Sequence, residues 1–306
     1  MSAAVKKPTG EGAGPTGGIG EATRSIAVES DQPRRRPRKG SFWRAVQPFV
    51  LPLILPLIVI AIWQYTGSQR MIADGLFPSF TASVAALGDF IFATAESSAP
   101  YSGDWVTALF DSSQRILSGY LIGSALGVVL GLLSGYSKVI RQLANPMIDA
   151  LRPISITAWI PLALIFFGIG NAPAIFLTAL ATFFPVYVNT LAGAMSAEGR
   201  LLRAAAMLGA NKWQMLVKVT LPATLPSIAT GMRVGLALAW TTVVVAEILG
   251  ARSGLGYVLI DAYNQFRFDY VVACMISLGA LGFLSDRILA LLFKRPLRWV
   301  ESAARA

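Results

Sequence analysis

Long uncharged apolar blocks, separated by short polar joints, constrain this sequence more than any other feature. Hydrophobic residues make up 55% of the 306 residues and charged residues only 14%, whereas soluble domains carry about 25% charged residues. Six blocks are each about 17 to 27 residues long, close to the roughly 20 residues that a membrane-spanning helix needs. The sequence therefore predicts an all-α polytopic membrane protein with spans at Phe49–Thr66, Ile116–Gly135, Ile154–Gly170, Ala172–Gly193, Thr224–Gly250 and Val271–Phe293.

The polar segments divide the chain into four parts. Residues 1–44 are rich in Gly, Pro and charge, so we expect a disordered basic cytoplasmic tail. Residues 45–115 hold the first span and the segment Pro78–Ala95, whose helical spacing of apolar residues predicts a periplasmic interfacial helix. The remaining parts are a membrane-embedded core at 116–295, which contains a loop at 196–222, and a cytoplasmic C-terminal tail at 296–306.

Basic residues fall mostly on one side of the alternating spans. The two loops on the other side, 67–115 and 251–270, are poor in Lys and Arg. Four segments lie on the opposite side: 1–44, 136–153, 194–223 and 294–306. They hold 9, 3, 4 and 4 of the 26 Lys and Arg, respectively. By the positive-inside rule, both termini are cytoplasmic. The net charge of +10 thus reports orientation and contact with membrane lipid, and no nucleic-acid partner is expected.

The residue inventory argues against catalysis. The chain has one Cys and no His, which excludes the common zinc sites and the Ser-His-Asp and Cys-His constellations. It also has no phosphate-binding G-x-x-x-x-G-K-[ST] sequence. We therefore expect no catalytic residues, no bound metal, no cofactor and no ATP hydrolysis by this chain.

The segment between the fourth and fifth spans carries a small apolar face. Leu201, Ala204, Ala205 and Leu208 recur at helical spacing, and Gly209 fits a helix end or a tight turn. A second helical stretch, 213–219, runs to a predicted break at Leu221-Pro222. A helix–turn–helix more apolar than a plain connector suggests docking to a partner.

RAAAMLGANKWQMLVKVTLP (203–222) resembles the coupling-loop motif of ATP-binding-cassette (ABC) importer permeases, E-A-A-x3-G-x9-I-x-L-P. Val219 replaces the Ile, and Arg203 replaces the usual Glu, reversing the charge at that contact. DALRPISITAWIPLALIFFGIG (149–170), FFPVYVNTLAG (183–193) and GMRVGLALAWTTVVVAEILGARSGLGYVLIDA (231–262) are similar to permeases of the nitrate, sulfonate, taurine and bicarbonate importers. The residues matched to ATPase coupling are Leu201, Arg203, Ala204, Ala205, Leu208, Gly209, Leu221 and Pro222.

The resemblance implies a six-helix type I ABC importer transmembrane domain in the inner membrane. It implies two copies of an ABC ATPase subunit, a periplasmic or lipid-anchored substrate-binding protein, and a second permease copy forming a homodimer. A homologous second permease remains an alternative. The resemblance implies a small anionic solute of the nitrate, sulfonate, taurine or bicarbonate class. The sequence does not choose among these.

The fifth span contains polar groups that need an explanation. Ionisable residues within a bilayer are functional by default, so Arg233 and Glu247 are candidates for the translocation pathway, with Trp240, Thr241 and Thr242 between them. The alternatives are that Arg233 snorkels or pairs between helices, that Glu247 accepts hydrogen bonds from loop N–H groups near Gly250 and Gly254, and that the threonines bond to their own helix. Asp286 and Arg287 are expected to be structural.

Two other interpretations are weighed. A stand-alone secondary transporter or channel would predict inverted repeats and midplane ion-coupling groups, and would leave the apolar loop at 196–222 unexplained. A membrane enzyme would need a cluster of acid, base or metal ligands. The glycines spaced by four in the second span, Gly119, Gly123, Gly127, Gly131 and Gly135, predict close helix packing.

Overall fold

The computed structural model describes residues 41–69, 76–93, 100–196 and 199–297, and it gives only the backbone of 41–53 and 199–202. Every regular element within these ranges is helical. By its contacts the chain divides into 1–53 and 54–306. Of the first unit only the beginning of helix α1 (Ser41–Ser68) is described. The predicted tails, 1–44 and 296–306, therefore lie almost wholly outside the described residues, although residues 41–44 are helical.

Three long helices form the centre of the molecule: α3 (Trp105–Tyr136), α6 (Asn171–Met195) and α9 (Leu221–Gly250). Helix α6 lies between the other two and contacts both along its length. Residues of all three, including Tyr120, Leu177 and Val243, share one buried apolar cluster. The arrangement places α9 at one side of this layer, where part of its surface stays uncovered.

Glycines bring α3 and α6 into close contact, as their spacing predicts. A Cβ atom on Gly119 would lie 2.6 Å from the Ile175 carbonyl oxygen, and one on Gly123 would lie 2.3 Å from the Ala179 carbonyl oxygen. Gly127, Gly131 and Gly135 are equally crowded by Val186, Thr190 and Ala194. Small residues allow such backbone approach in membranes, where dispersion contacts take the place of the hydrophobic effect. The packing prediction is confirmed.

The third predicted span, 154–170, is not one continuous helix. Helix α4 (Lys138–Leu151) is followed by a 3₁₀ turn (Ile156–Trp159) and by α5 (Ile160–Phe167), and the two helical pieces meet at 90°. Pro153 at the bend lacks an N–H, and Gly168 ends α5 with a φ of 71°. Twelve helical residues reach only about 18–20 Å, less than the roughly 30 Å hydrocarbon core.

Four described helices are long and apolar enough to cross a membrane, or five if the bent pair counts as one span. They are α3, α6, the helical run Lys212–Gly250, and α11 (Phe268–Lys294). The first predicted span, 49–66, lies within α1, whose side chains are described only from Ile54 onward. The prediction of six spans thus corresponds to these elements together with α1, and the all-α membrane class is confirmed.

Within the predicted segment 78–95, whose last two residues lie outside the described ranges, helix α2 (Phe80–Phe92) forms. The Ser79 hydroxyl caps it by accepting from the Ala82 N–H at 3.2 Å. It packs against α11. An interfacial helix would turn Asp89 toward water. Instead, Asp89 is buried and accepts hydrogen bonds from Ser102 and Tyr270. Trp63 of α1 donates to the Pro78 carbonyl at 3.0 Å, joining the end of α1 to the start of α2.

Candidate functional site

The uncovered face of α9 carries polar side chains among its aliphatic ones, unlike that of α3. Between Leu117 and Val129, every exposed residue of α3 is apolar, which suits a lipid contact. On α9, the exposed residues between Thr230 and Leu249 include Arg233 and Thr241 as well as aliphatic side chains. Polar side chains at membrane depth face water or protein rather than lipid. The uncovered face of α9 is therefore suited to line an aqueous path.

A cavity of 160 Å³ opens beside this face, between α9, α6 and the 3₁₀ turn before α5. Its polar side chains are Thr157, Thr241 and Thr242. Thr241 donates to the Leu238 carbonyl at 2.9 Å, and Thr157 shares a hydrogen bond with Ser155. Thr242 bonds to no other group among the described residues, so its hydroxyl is available to a solute. Apolar residues complete the lining: Ile156, Ile160, Leu177 and Val245.

Arg233 lies nearer the start of α9 and pairs with Asp286 of α11. Its Nε and Nη2 atoms each donate at 2.8 Å to one carboxylate oxygen. The two side chains are 51% and 36% exposed, so the pair is accessible and joins two helices. Higher on the same face, Trp240 donates to Ser285 at 2.9 Å. Arg233 and Trp240, two of the predicted pathway residues, thus also join α9 to α11.

Glu247, at the far end of α9, is fully buried and lies in a network of charged and polar groups. Arg115 of α3 donates to its carboxylate at 2.6 Å, the Gly256 N–H donates at 2.9 Å, and Ser112 lies within 2.9 Å of both carboxylate oxygens. Burying a carboxylate is costly unless the charge is paired and hydrogen-bonded. Here both conditions are met. We call Ser112, Arg115, Glu247 and Ser253 the outer cluster.

Arg115 also connects the outer cluster to the start of α6 and to the turn that follows α9. It donates to Asn171 at the start of α6 at 2.9 Å, and to the carbonyl and hydroxyl of Ser253 at 2.7 and 2.8 Å. Gly254 follows with a φ of 108°, and a Cβ there would lie 2.5 Å from a Glu247 oxygen. Only glycine fits that position. The cluster therefore fixes the turn between α9 and α10 (Leu255–Asn264) against α3 and α6.

A second polar region lies beside the outer cluster. Tyr101 donates to Asp261 at 2.5 Å, and burial together with this carboxylate raises the pKa of the Tyr101 phenol above its ordinary value. The two residues line a cavity of 330 Å³ whose charged groups also include Asp104, Asp111 and Arg252. This cavity lies at the end of the molecule where α9 ends.

The segment after α6 forms α7 (Gly199–Met207) and then α8 (Lys212–Met215). Gly209 separates them with a φ of 78°, which confirms the predicted turn. Asn211 caps α8 in a reciprocal bond pair with Gln214. Met207 and Leu208 are 87% and 88% exposed, and Trp213 is 70% exposed. Their exposure leaves a large apolar surface at this turn.

The predicted break at Leu221-Pro222 is wrong. A π-helical turn (Leu216–Thr220) joins α8 directly to α9, and the run Lys212–Gly250 is one helix of 39 residues. The Leu221 N–H donates to the Leu216 carbonyl, one residue further back than in an α-helix. Pro222 comes in the first turn after this widened segment, where its missing N–H is tolerated.

The structure places the predicted coupling residues around this turn. Arg203, Ala204, Leu208 and Gly209 are exposed, and Ala205 is half-buried. Leu221 and Pro222 are half-buried at the start of α9, and the side chain of Leu201 lies outside the described residues. The sequence reasoning did not identify Arg115, because it placed the edge of the second span at Ile116. The available signal was Glu247, a carboxylate at the same end of the fifth span that needs a basic partner.

The family model described as the binding-protein-dependent transport system inner membrane component matches residues 124–298. The chain is 34% identical over 250 residues to the aliphatic sulfonates transport permease protein SsuC of Bacillus subtilis, a match that covers 82% of this chain and 87% of that protein. It is 37% identical over 188 residues to the taurine transport system permease protein TauC of Escherichia coli, covering 61% and 68% respectively.

A solved structure shares the fold. It is a bacterial alginate ABC transporter in complex with an alginate pentasaccharide-bound periplasmic protein. One of its chains superposes with a TM-score of 0.53 at 17% identity, over 84% of this chain and 97% of the other. At this identity the similarity concerns the arrangement of the helices.

Proposed function

Because the chain belongs to the family of binding-protein-dependent transport system inner membrane components, we propose that it carries a small anionic solute across the inner membrane. It is an ABC importer permease of the type that serves sulfonates, taurine and bicarbonate. The solutes named for its relatives, aliphatic sulfonates and taurine, support a sulfonate-class or similar small anion as the cargo. The stand-alone secondary transporter or channel is not favoured.

The surface around Gly209 is the observation that carries the proposal. Full burial of a Leu or Met side chain contributes about 1.5–3 kcal/mol, so Met207, Leu208 and Trp213 together offer a sizeable docking energy. A cavity of 450 Å³ lined by Leu208, Gln214, Lys218 and others adjoins them. We infer that a separate ATPase subunit covers this surface, with Arg203 at its edge. The reversed charge at Arg203 calls for an acidic or neutral contact on that subunit.

The continuous helix Lys212–Gly250 gives the docking surface a direct route into the membrane. A displacement of α8 by the ATPase passes into α9 without an intervening loop. The opposite end of α9 is held by the outer cluster, while its polar face carries Arg233 and the two threonines. ATP binding then biases the bundle between inward-facing and outward-facing states through this helix.

The remaining partners follow from the same arrangement. A second permease copy would face the polar side of α9 and close the path, in a homodimer served by two ATPase subunits. A periplasmic or lipid-anchored binding protein would deliver the solute near the 330 Å³ cavity. Both termini and the α7–α8 turn would be cytoplasmic, as the charge distribution predicts.

Co-reconstitution tests this proposal. The full-length chain is purified with its ATPase, and uptake of radiolabelled taurine and ethanesulfonate into vesicles is measured with the neighbouring binding protein and ATP. We expect ATP-dependent uptake, and we expect Leu208→Asp to lose the ATPase and the uptake together. Tyr263→Asp, at a side chain 53% exposed on α10, is the matched control for ATPase binding and should retain the ATPase. Transport by the chain alone, without ATPase, would contradict the proposal.

A further inference from the structure

A basic cavity lies between the beginning of α9 and the end of α11, away from the threonine-lined cavity. Its volume is 550 Å³, and Arg233, Arg287 and Lys294 contribute three cations to its walls. Ala229, Leu291 and Phe293 are among the apolar residues beside them. A cavity with cations on one side and aliphatic groups on the other suits a molecule that is both anionic and apolar.

Two of these cations have no directly bonded acidic partner among the described residues. Asp286 pairs with Arg233 and also interacts electrostatically with Arg287, but neither Arg287 nor Lys294 forms a direct ion pair within the described residues. The Arg287 guanidinium lies over the Phe283 ring, 4.9 Å from its centroid, and its N–H donors have no hydrogen-bond partner among the described residues. The described side chains around the cavity therefore carry an excess of positive charge, with donors available.

The position of these charges matches the membrane interface. Arg287 and Lys294 are seven residues apart on α11, about 10 Å along the helix, and Lys294 is the last residue of that helix. Apolar side chains adjoin these cations on α11: Phe283 and Leu284 precede Arg287, Ile288 and Leu291 lie between Arg287 and Lys294, and each of the four is more than half exposed. A headgroup held at the cations would place its acyl chains against this apolar face.

We propose that this cavity binds the phosphate of an anionic glycerophospholipid, held by Arg287 and Lys294. A free oxyanion shares the headgroup chemistry, but it gains nothing from the apolar face of α11. A lipid occupant gains both the charge contacts and the burial of its chains. The proposal does not depend on transport, and it uses the proposed orientation only to assign the lipid to the cytoplasmic leaflet.

Native mass spectrometry of the full-length chain, purified with its co-purifying subunits, tests the site. The protein is equilibrated with mixed micelles of phosphatidylglycerol and phosphatidylcholine, and the retained lipids are counted. Each basic residue near a membrane surface favours an anionic lipid about fivefold. Arg287→Gln/Lys294→Gln is therefore expected to lower the preference for phosphatidylglycerol by about 30-fold, taking the two contributions as additive.

Three further samples make the result decisive. Arg287→Lys/Lys294→Arg keeps both charges and should retain the lipid. Lys138→Gln/Arg141→Gln removes two charges from α4 and should leave this bound lipid in place. Unchanged retention of phosphatidylglycerol by the Gln double variant would overturn the proposal. Displacement of the bound lipid from the unsubstituted protein by millimolar ethanesulfonate would also overturn it, because the site would then bind the transported solute.

Discussion

Arg115 and Glu247, which are 132 residues apart in the sequence, form a fully buried ion pair at 2.6 Å that joins α3 to the end of α9. Removing one member of such a pair leaves the other charge buried without compensation, which typically costs about 3–5 kcal/mol. We expect Glu247→Gln to lower the free energy of unfolding by about this amount, measured by thermal or denaturant unfolding of the purified protein.

Asp286→Asn is the control for that experiment. It breaks an ion pair of the same kind, but its members are 51% and 36% exposed, and exposed pairs contribute about 0–1 kcal/mol. An equally small effect of both substitutions would contradict the structural role of the outer cluster. A variant that also replaces Arg115 by Met should recover part of the loss, because no unpaired charge remains.

The glycine contacts between α3 and α6 predict a second pair of variants. Gly123→Ala places a Cβ 2.3 Å from the Ala179 carbonyl oxygen, and such overpacking costs about 1–3 kcal/mol. Gly279→Ala on α11 meets nothing within 4 Å and should be neutral or slightly stabilising, since Ala favours a helix by about 1 kcal/mol over Gly. Unfolding temperatures of the two variants should move apart, and equal shifts would argue against the close approach.

Adjacent threonines of α9 provide a test of the proposed path. The Thr242 hydroxyl is free within the described residues, whereas the Thr241 hydroxyl donates to its own helix. Thr242→Val removes a donor of about 1 kcal/mol, so we expect about a fivefold loss of uptake at low substrate. Thr241→Val should change uptake by less than twofold. Equal effects of the two substitutions on uptake in vesicles would contradict a direct contact between the Thr242 hydroxyl and the solute.

Arg233 and Asp286 separate two roles of one ion pair. Both Arg233→Gln and Asp286→Asn remove the ion pair between α9 and α11, but only the first removes the guanidinium. If Arg233 attracts the anion, the Gln variant should abolish uptake while it still assembles with the ATPase, and the Asn variant should transport normally. Normal uptake by Arg233→Gln would remove this residue from the pathway.

The elements governed by local physics could be predicted from the sequence. The spacing of Gly119 to Gly135 predicts the packed ridge, and Gly209 predicts the turn between α7 and α8. The predicted break at Leu221-Pro222 was wrong, because a π-helical turn just before Pro222 lets the helix continue through the proline. Glycine and proline signals report what a backbone allows, and the neighbouring turns decide which option is used.

Partnerships between distant segments could not be predicted in the same way. The sequence shows that Glu247 needs a partner, but helical periodicity does not tell which span lies beside it. The same holds for Arg233 and Asp286, which are 53 residues apart. The apolar run begins at Ile116, so hydropathy does not single out Arg115, although an arginine at the edge of a span can extend inward. Tertiary packing alone identifies these partners.

The long separation within the outer cluster has a consequence for biosynthesis. Chain elongation proceeds at about 5–20 residues per second, so Arg115 emerges between about 7 and 26 seconds before Glu247. During that interval the guanidinium lacks its Glu247 partner. Its place at the end of the second span allows it to wait in water at the bilayer edge, and the bundle can lock only after the helix that carries Glu247 has been inserted.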